Sequence, residues 1–167
     1  MKSILFYISF FLAFTAYSQD SLSELLQRHN QKHVPYISVQ ELAMPKTNPI
    51  LLDARESSEY EVSHIKGAIF VGYNDFNIEL VKSQFPDKTQ AIVVYCSLGI
   101  RSETIAKKLS DEGYTNVTNL YGGIFEWKNK GFSVYNSEDK ETDSIHAFSK
   151  YWSKWLNRGI KVIPKPQ

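Results

Sequence analysis

The chain has 167 residues and carries 19 lysine and arginine side chains against 18 aspartates and glutamates, a formal net charge of +1. That length holds one domain with a real core, and so even a balance excludes the electrostatic footprint of a nucleic-acid or anionic-membrane binder. A single cysteine, Cys96, excludes an internal disulfide framework.

Lys2, a short apolar run over residues 4–16 and the small-x-small site Ala16-Tyr17-Ser18 have the layout of a secretory signal peptide over residues 1–19. The run is shorter than the roughly 20 residues a membrane span needs. The mature form is therefore expected to be exported, periplasmic or secreted, and free of the membrane; an uncleaved anchor or a core helix is the alternative. Without Lys2 the chain has 18 charges of each sign. In an exported protein an unpaired cysteine points to a reactive thiol or an intermolecular bond.

Residues 20–35 read as an N-terminal helical extension with Leu22, Leu25, Leu26 and His29 on one face, ended by Pro35. Ile37 begins a short strand, and Ser38 caps a helical turn over 39–43. Residues 50–53 are a short apolar run of the kind found in a central parallel strand. A helical turn over 57–62, a strand over 68–71 and a helix over 76–85 follow. The next strand is 91–95, and its helix, 102–112, starts at Ser102 and stops at Gly113. A strand over 117–120 precedes Gly122-Gly123, which open a last domain helix over 124–130. Strands alternating with helices predict an α/β domain with a parallel sheet and right-handed crossovers.

Residues 136–167 are read as a polar linker over 137–143 and a C-terminal amphipathic helix over 144–158. Ile145, Phe148, Trp152, Trp155 and Leu156 form its apolar stripe. That stripe has two readings. It packs on the domain, or it offers a surface to a second copy or a protein partner.

Cys96 lies one residue past the carboxyl end of the 91–95 strand, where ligands sit in such sheets. It opens the loop Cys96-Ser97-Leu98-Gly99-Ile100-Arg101-Ser102. The following helix start directs N–H groups and partial positive charge at the loop, which favours a thiolate and lowers the thiol pKa below roughly 8.5. Gly99 permits a positive φ, and Arg101 adds a fixed cation with a forked donor. A cysteine that is only a buried hydrophobe needs none of these neighbours. His29, His33 and His146 lack metal-ligand spacing, and no metal or cofactor is expected.

Five motifs occur in order: Leu52-Asp53-Ala54-Arg55, Glu59-Tyr60, His64-Ile65-Lys66-Gly67-Ala68, the Cys96 loop, and Leu120-Tyr121-Gly122-Gly123 with Trp127. Together they resemble the rhodanese family of single-domain sulfurtransferases, over residues 36–135. The resemblance implies a five-stranded parallel sheet flanked by helices, with the N- and C-terminal helices as additions. It implies that Cys96 is the catalytic nucleophile, taking a sulfane sulfur from a donor such as thiosulfate and passing it to cyanide or a thiol. Arg101, Ser97, Leu98, Gly99, Ile100 and Ser102 are the expected substrate-binding residues. Arg101 would grip the anionic end of the donor, or alternatively form a salt bridge that fixes the loop. Asp53, Arg55 and His64 read as structural in that pattern, and Ser63 stands where the family often has glycine.

Two other readings compete. A non-catalytic rhodanese-like binding module would share the fold. A cysteine phosphatase or arsenate reductase has Cys-x5-Arg, whereas four residues separate Cys96 from Arg101 here.

Overall fold

The computed structural model describes residues 21–164. Helix α1 (Leu22–His29) is shorter than the sequence predicts, and it begins with a capping box between Ser21 and Glu24. Strand β1 (Tyr36–Ile37) leads through the Ser38 cap into α2 (Val39–Leu42). There follow β2 (Ile50–Asp53), α3 (Ser57–Val62), β3 (Ile69–Phe70), α4 (Ile78–Gln84), β4 (Ile92–Tyr95), α5 (Arg101–Asp111), β5 (Val117–Leu120) and α6 (Gly123–Asn129). The expected β/α alternation is therefore the architecture of the domain.

Five parallel strands form one sheet in the order β1-β5-β4-β2-β3. β4 is central, and all four of its residues are buried. Successive side chains on a strand point to opposite faces, so β4 serves both layers. Val93 and Tyr95 join Leu51, Leu120, Ile124 and Phe125 on the face covered by α1, α2 and α6. Ile92 and Val94 join Leu52, Val81, Ile105 and Leu109 on the face covered by α4 and α5. Both faces are apolar because a parallel sheet is buried on both sides.

The predicted helix over 144–158 does not form. Residues 137–143 are not a plain linker either, because β6 (Val134–Tyr135) and β7 (Glu141–Thr142) pair antiparallel. β8 (Ser144–His146) then pairs in parallel with β9 (Ile160–Val162), and a four-residue 3-10 turn, Trp152–Trp155, lies between them. The helical spacing of the apolar residues is real, but Phe148 takes φ +61°, a left-handed conformation that no α-helix tolerates. Ile145 and Leu156 are fully buried in the main core. Trp152 and Trp155 pack against that core, while Phe148 stays exposed, so the stripe is split between the domain and the surface and is not presented on a helix.

Candidate active site

Residues 96–100 connect the end of β4 to the start of α5, and their peptide groups are held from outside the loop. The N–H groups of Ile124 and Phe125, in the first turn of α6, donate to the carbonyls of Cys96 (2.9 Å) and Ser97 (3.1 Å). This approach needs a glycine at 123: a Cβ there would sit 2.2 Å from the Cys96 carbonyl oxygen. The Gly99 carbonyl accepts from Asn30 Nδ2 at 2.7 Å and from Asn119 Nδ2 at 2.8 Å. Gly99 takes φ +99°, and its N–H, in the peptide group before that carbonyl, donates to Cys96 Sγ at 3.1 Å.

Ser102 does not cap α5, which begins one residue earlier than predicted, at Arg101. Its hydroxyl lies 2.7 Å from Asn119 Oδ1 and 3.5 Å from Cys96 Sγ. One hydroxyl hydrogen serves both acceptors. It turns to sulfur when sulfur is anionic, since charged acceptors form the stronger bonds.

Cys96 is nearly enclosed, with 2% of its surface exposed. Burial pushes its thiol pKa up, but the charge of Arg101, the Ser102 hydroxyl and the N–H groups of Ser102 and Leu98 more than offset this. The net shift is downward, toward thiolate.

Arg101 is engaged by a residue the sequence reading left out of the site. Its Nη1 and Nη2 donate to the two carboxylate oxygens of Glu59 at 2.7 and 2.8 Å, and Nη2 also donates to Ser97 Oγ at 3.1 Å. Ser97 Oγ in turn donates to Glu59 Oε1 at 3.0 Å. Burial raises the Glu59 pKa, but the Arg101 fork and the charges of Arg101 and Arg55 outweigh it, so Glu59 is held as a carboxylate. The salt-bridge role of Arg101, the alternative to gripping a donor, is the one this geometry displays.

A cavity of about 120 Å³ opens above the sulfur. Leu98 and Ile100 line it from the loop, as expected, while Phe148 and Trp152 line it from the C-terminal segment. The Phe148 ring covers the Arg101 guanidinium at 4.8 Å, and Trp152 meets the His29 ring edge-on at 6.0 Å. Glu103, in the first turn of α5, accepts the backbone N–H groups of Gln31 and His33. The segments before and after the sheet therefore both clasp the cysteine loop. Asn30, Glu59, Asn119, Phe148 and Trp152 were not predicted for the site.

The other motif residues lie in structural networks. Arg55 donates from Nε and Nη2 to Asp53 and from Nη2 to the Ser63 carbonyl, all buried. His64 stacks on Tyr60 with ring centres 4.0 Å apart. Among the described residues, no group of three or more His, Cys, Asp or Glu side chains is placed to hold a metal ion.

A family model for the rhodanese-like domain matches residues 38–130, more than half of the chain. The chain belongs to the rhodanese-like domain family. Within that family it is similar to thiosulfate sulfurtransferase GlpE of Coxiella burnetii, with 30% identity over 97 residues, covering 58% of this chain and 87% of that one. It is also similar to the tRNA uridine(34) hydroxylase of Staphylococcus epidermidis, 38% identical over 87 residues, which cover 49% of this chain but 27% of that protein. Among solved structures, thiosulfate sulfurtransferase from Pseudomonas aeruginosa superposes with a TM-score of 0.58 at 24% identity, covering 79% of this chain and 25% of that one. The rhodanese-like domain of the Anabaena Alr3790 protein superposes with 0.55 at 24% identity, over 62% and 80%. These structures share the rhodanese-like fold, and Phe148 and Trp152 lie beyond the span matched by the family model.

Proposed function

We propose that this rhodanese-like chain is a sulfurtransferase that carries a sulfane sulfur on Cys96. The observation that supports it best is a sulfur at the floor of a cavity, under the Gly99 N–H, with its pKa shifted toward thiolate. The Cys96 thiolate attacks the outer sulfur of a donor. A new S–S bond forms, the donor's S–S bond breaks, and its electron pair leaves with the remainder, sulfite in the case of thiosulfate. The resulting persulfide is anionic, and the inward N–H groups stabilise charge at that position. A thiol or cyanide then attacks the outer sulfur and returns Cys96 as thiolate. This is covalent catalysis with ping-pong kinetics.

Intact-mass measurement after donor treatment tests the reading. The expected result is a gain of one sulfur atom, reversed by a thiol reductant and absent in Cys96→Ala. Thiocyanate formation of equal rate in the native chain and in Cys96→Ala would overturn it, and a native rate no higher than background would favour a non-catalytic binding module. We propose further that the protein works after export. The leader over residues 1–19 supports this and lies outside the described residues; N-terminal sequencing of the mature protein checks it.

A further inference from the structure

We propose that Phe148 and Trp152 make this site selective for a sulfane sulfur carried on an apolar organic group, with the compact dianion thiosulfate the poorer donor. The proposal rests on the sulfurtransferase reading and specifies its substrate class.

Charge is the first argument. A dianion entering the cavity meets a thiolate and one lining guanidinium, Arg101, whose fork is already closed on the buried Glu59 carboxylate. The Phe148 ring lies over that guanidinium, 4.8 Å from it. An anion here exchanges water for aromatic and aliphatic wall, which is costly without a partner of opposite charge.

Shape is the second. The space above Cys96 is about 120 Å³; Leu98, Ile100, Phe148 and Trp152 form its apolar walls, and Ser97 and Arg101 are its polar lining. An apolar cavity of roughly 150 Å³ takes up benzene, and this cavity opens to solvent on one side, so a phenyl-sized group fits against the aromatic walls near the opening with the donor's terminal sulfur directed down at Cys96. Phe148 lines the cavity while 42% exposed, with its backbone held in place, and Trp152 has ring neighbours on the domain side. The Phe148 N–H donates to His146 Nδ1 at 3.2 Å, and its left-handed φ persists because the chain on both sides is pinned. Trp152 packs against His29 and Tyr151. Both walls come from beyond the matched domain, so the selectivity belongs to this chain's own extension.

Three donors separate charge from apolar contact: thiosulfate, methanethiosulfonate and benzenethiosulfonate. The last two carry one negative charge each and differ in the organic group. In each case Cys96 takes the terminal sulfur, and sulfite, methanesulfinate or benzenesulfinate leaves with the bonding pair. kcat/KM for each donor is measured with cyanide as acceptor in the full chain and in Phe148→Ala, Phe148→Leu and Trp152→Ala. The expected native order is benzenethiosulfonate, then methanethiosulfonate, then thiosulfate, with about tenfold or more between the first two. Each alanine variant lowers the phenyl-to-methyl ratio severalfold, and Phe148→Leu retains part of it. The ratio is taken within one preparation, so partial misfolding of a variant cancels. A native ratio near one, thiosulfate as the best donor, or an unchanged ratio in both alanine variants would overturn the selectivity while leaving the sulfurtransferase reading in place. No thiocyanate and no added sulfur on Cys96 from any donor would overturn both.

Discussion

Arg101 and Glu59 face each other through two parallel hydrogen bonds of 2.7 and 2.8 Å, joining the first turn of α5 to the middle of α3 across 42 residues of sequence. Glu59 is 1% exposed. A buried carboxylate of this kind depends on its partner, and the partner, beside Cys96, lends its charge to the sulfur.

Glu59→Ala therefore removes more than an ion pair. It leaves the Arg101 guanidinium and the Ser97 hydroxyl without their shared acceptor. The expected cost is about 3–5 kcal/mol, the usual range for breaking one side of a buried pair. Urea unfolding measures it. A loss below about 1 kcal/mol would show that the pair behaves like a solvated surface bridge.

The reactivity of Cys96 should titrate lower than that of an ordinary thiol, because Arg101, the Ser102 hydroxyl and the loop N–H groups outweigh burial and shift its pKa downward. Thiolate increases as pH rises through the folded pKa, so the midpoint of alkylation against pH is the readout. Arg101→Gln removes the stabilising charge and moves that midpoint up. Ser102→Ala removes one hydrogen bond to the thiolate and also moves the midpoint up, by less than loss of the Arg101 charge. The linkage has a definite sign. A lowered folded pKa stabilises the fold fully above the unfolded value, and this stabilisation is lost as pH falls through the folded pKa. The native chain should gain stability over Cys96→Ala as pH rises across that window.

Gly123→Ala should disrupt the loop from behind. The added Cβ would lie 2.2 Å from the Cys96 carbonyl and 2.8 Å from the Ser97 carbonyl carbon, both backbone atoms, at φ +55°. The left-handed conformation alone costs about 1–2 kcal/mol for alanine, and the clash adds to it. Reduced unfolding stability together with loss of Cys96 persulfide formation is the expected pair of results. Native-like values of both would remove α6 from the account of loop geometry.

A chain ending at residue 143 loses Ile145 and Leu156 from the core, each fully buried. At roughly 1.5–3 kcal/mol for each side chain, the loss is about 3–6 kcal/mol. The melting temperature should fall by on the order of 10 °C. An unchanged melting curve would mean that the C-terminal segment is an appendage rather than part of the domain.

The readable parts of the sequence were those set by local patterns. The apolar runs at 50–52 and 92–95 lie in inner strands of the sheet because a sheet covered on both faces buries both sides of such a run; all of 92–95 is buried, and in the first run only Ile50 is half-buried. Gly99 and Gly122 mark positive φ, as glycines between a strand and a helix should. Glu59 was harder to assign. A carboxylate in a short helix normally faces water, and its burial here depends on Arg101 arriving from a distant element. Asn119 is similar: nothing in a strand sequence announces that its amide spans Ser102 and Gly99. The C-terminal segment misled for another reason. Residues 145, 148, 152, 155 and 156 have helical spacing, yet the β-branched residues Ile145, Ile160 and Val162 belong to a strand pair, and the chain reverses at Phe148.

Phe148 and Trp152 come later in the chain than the loop they cover. During synthesis the thiol consequently emerges bare, and it can meet disulfides and oxidants before its aromatic cover docks. Thiolate character speeds both reactions. Until residue 162 reaches β8, the sulfur lacks the two aromatic walls that cover it in the finished fold.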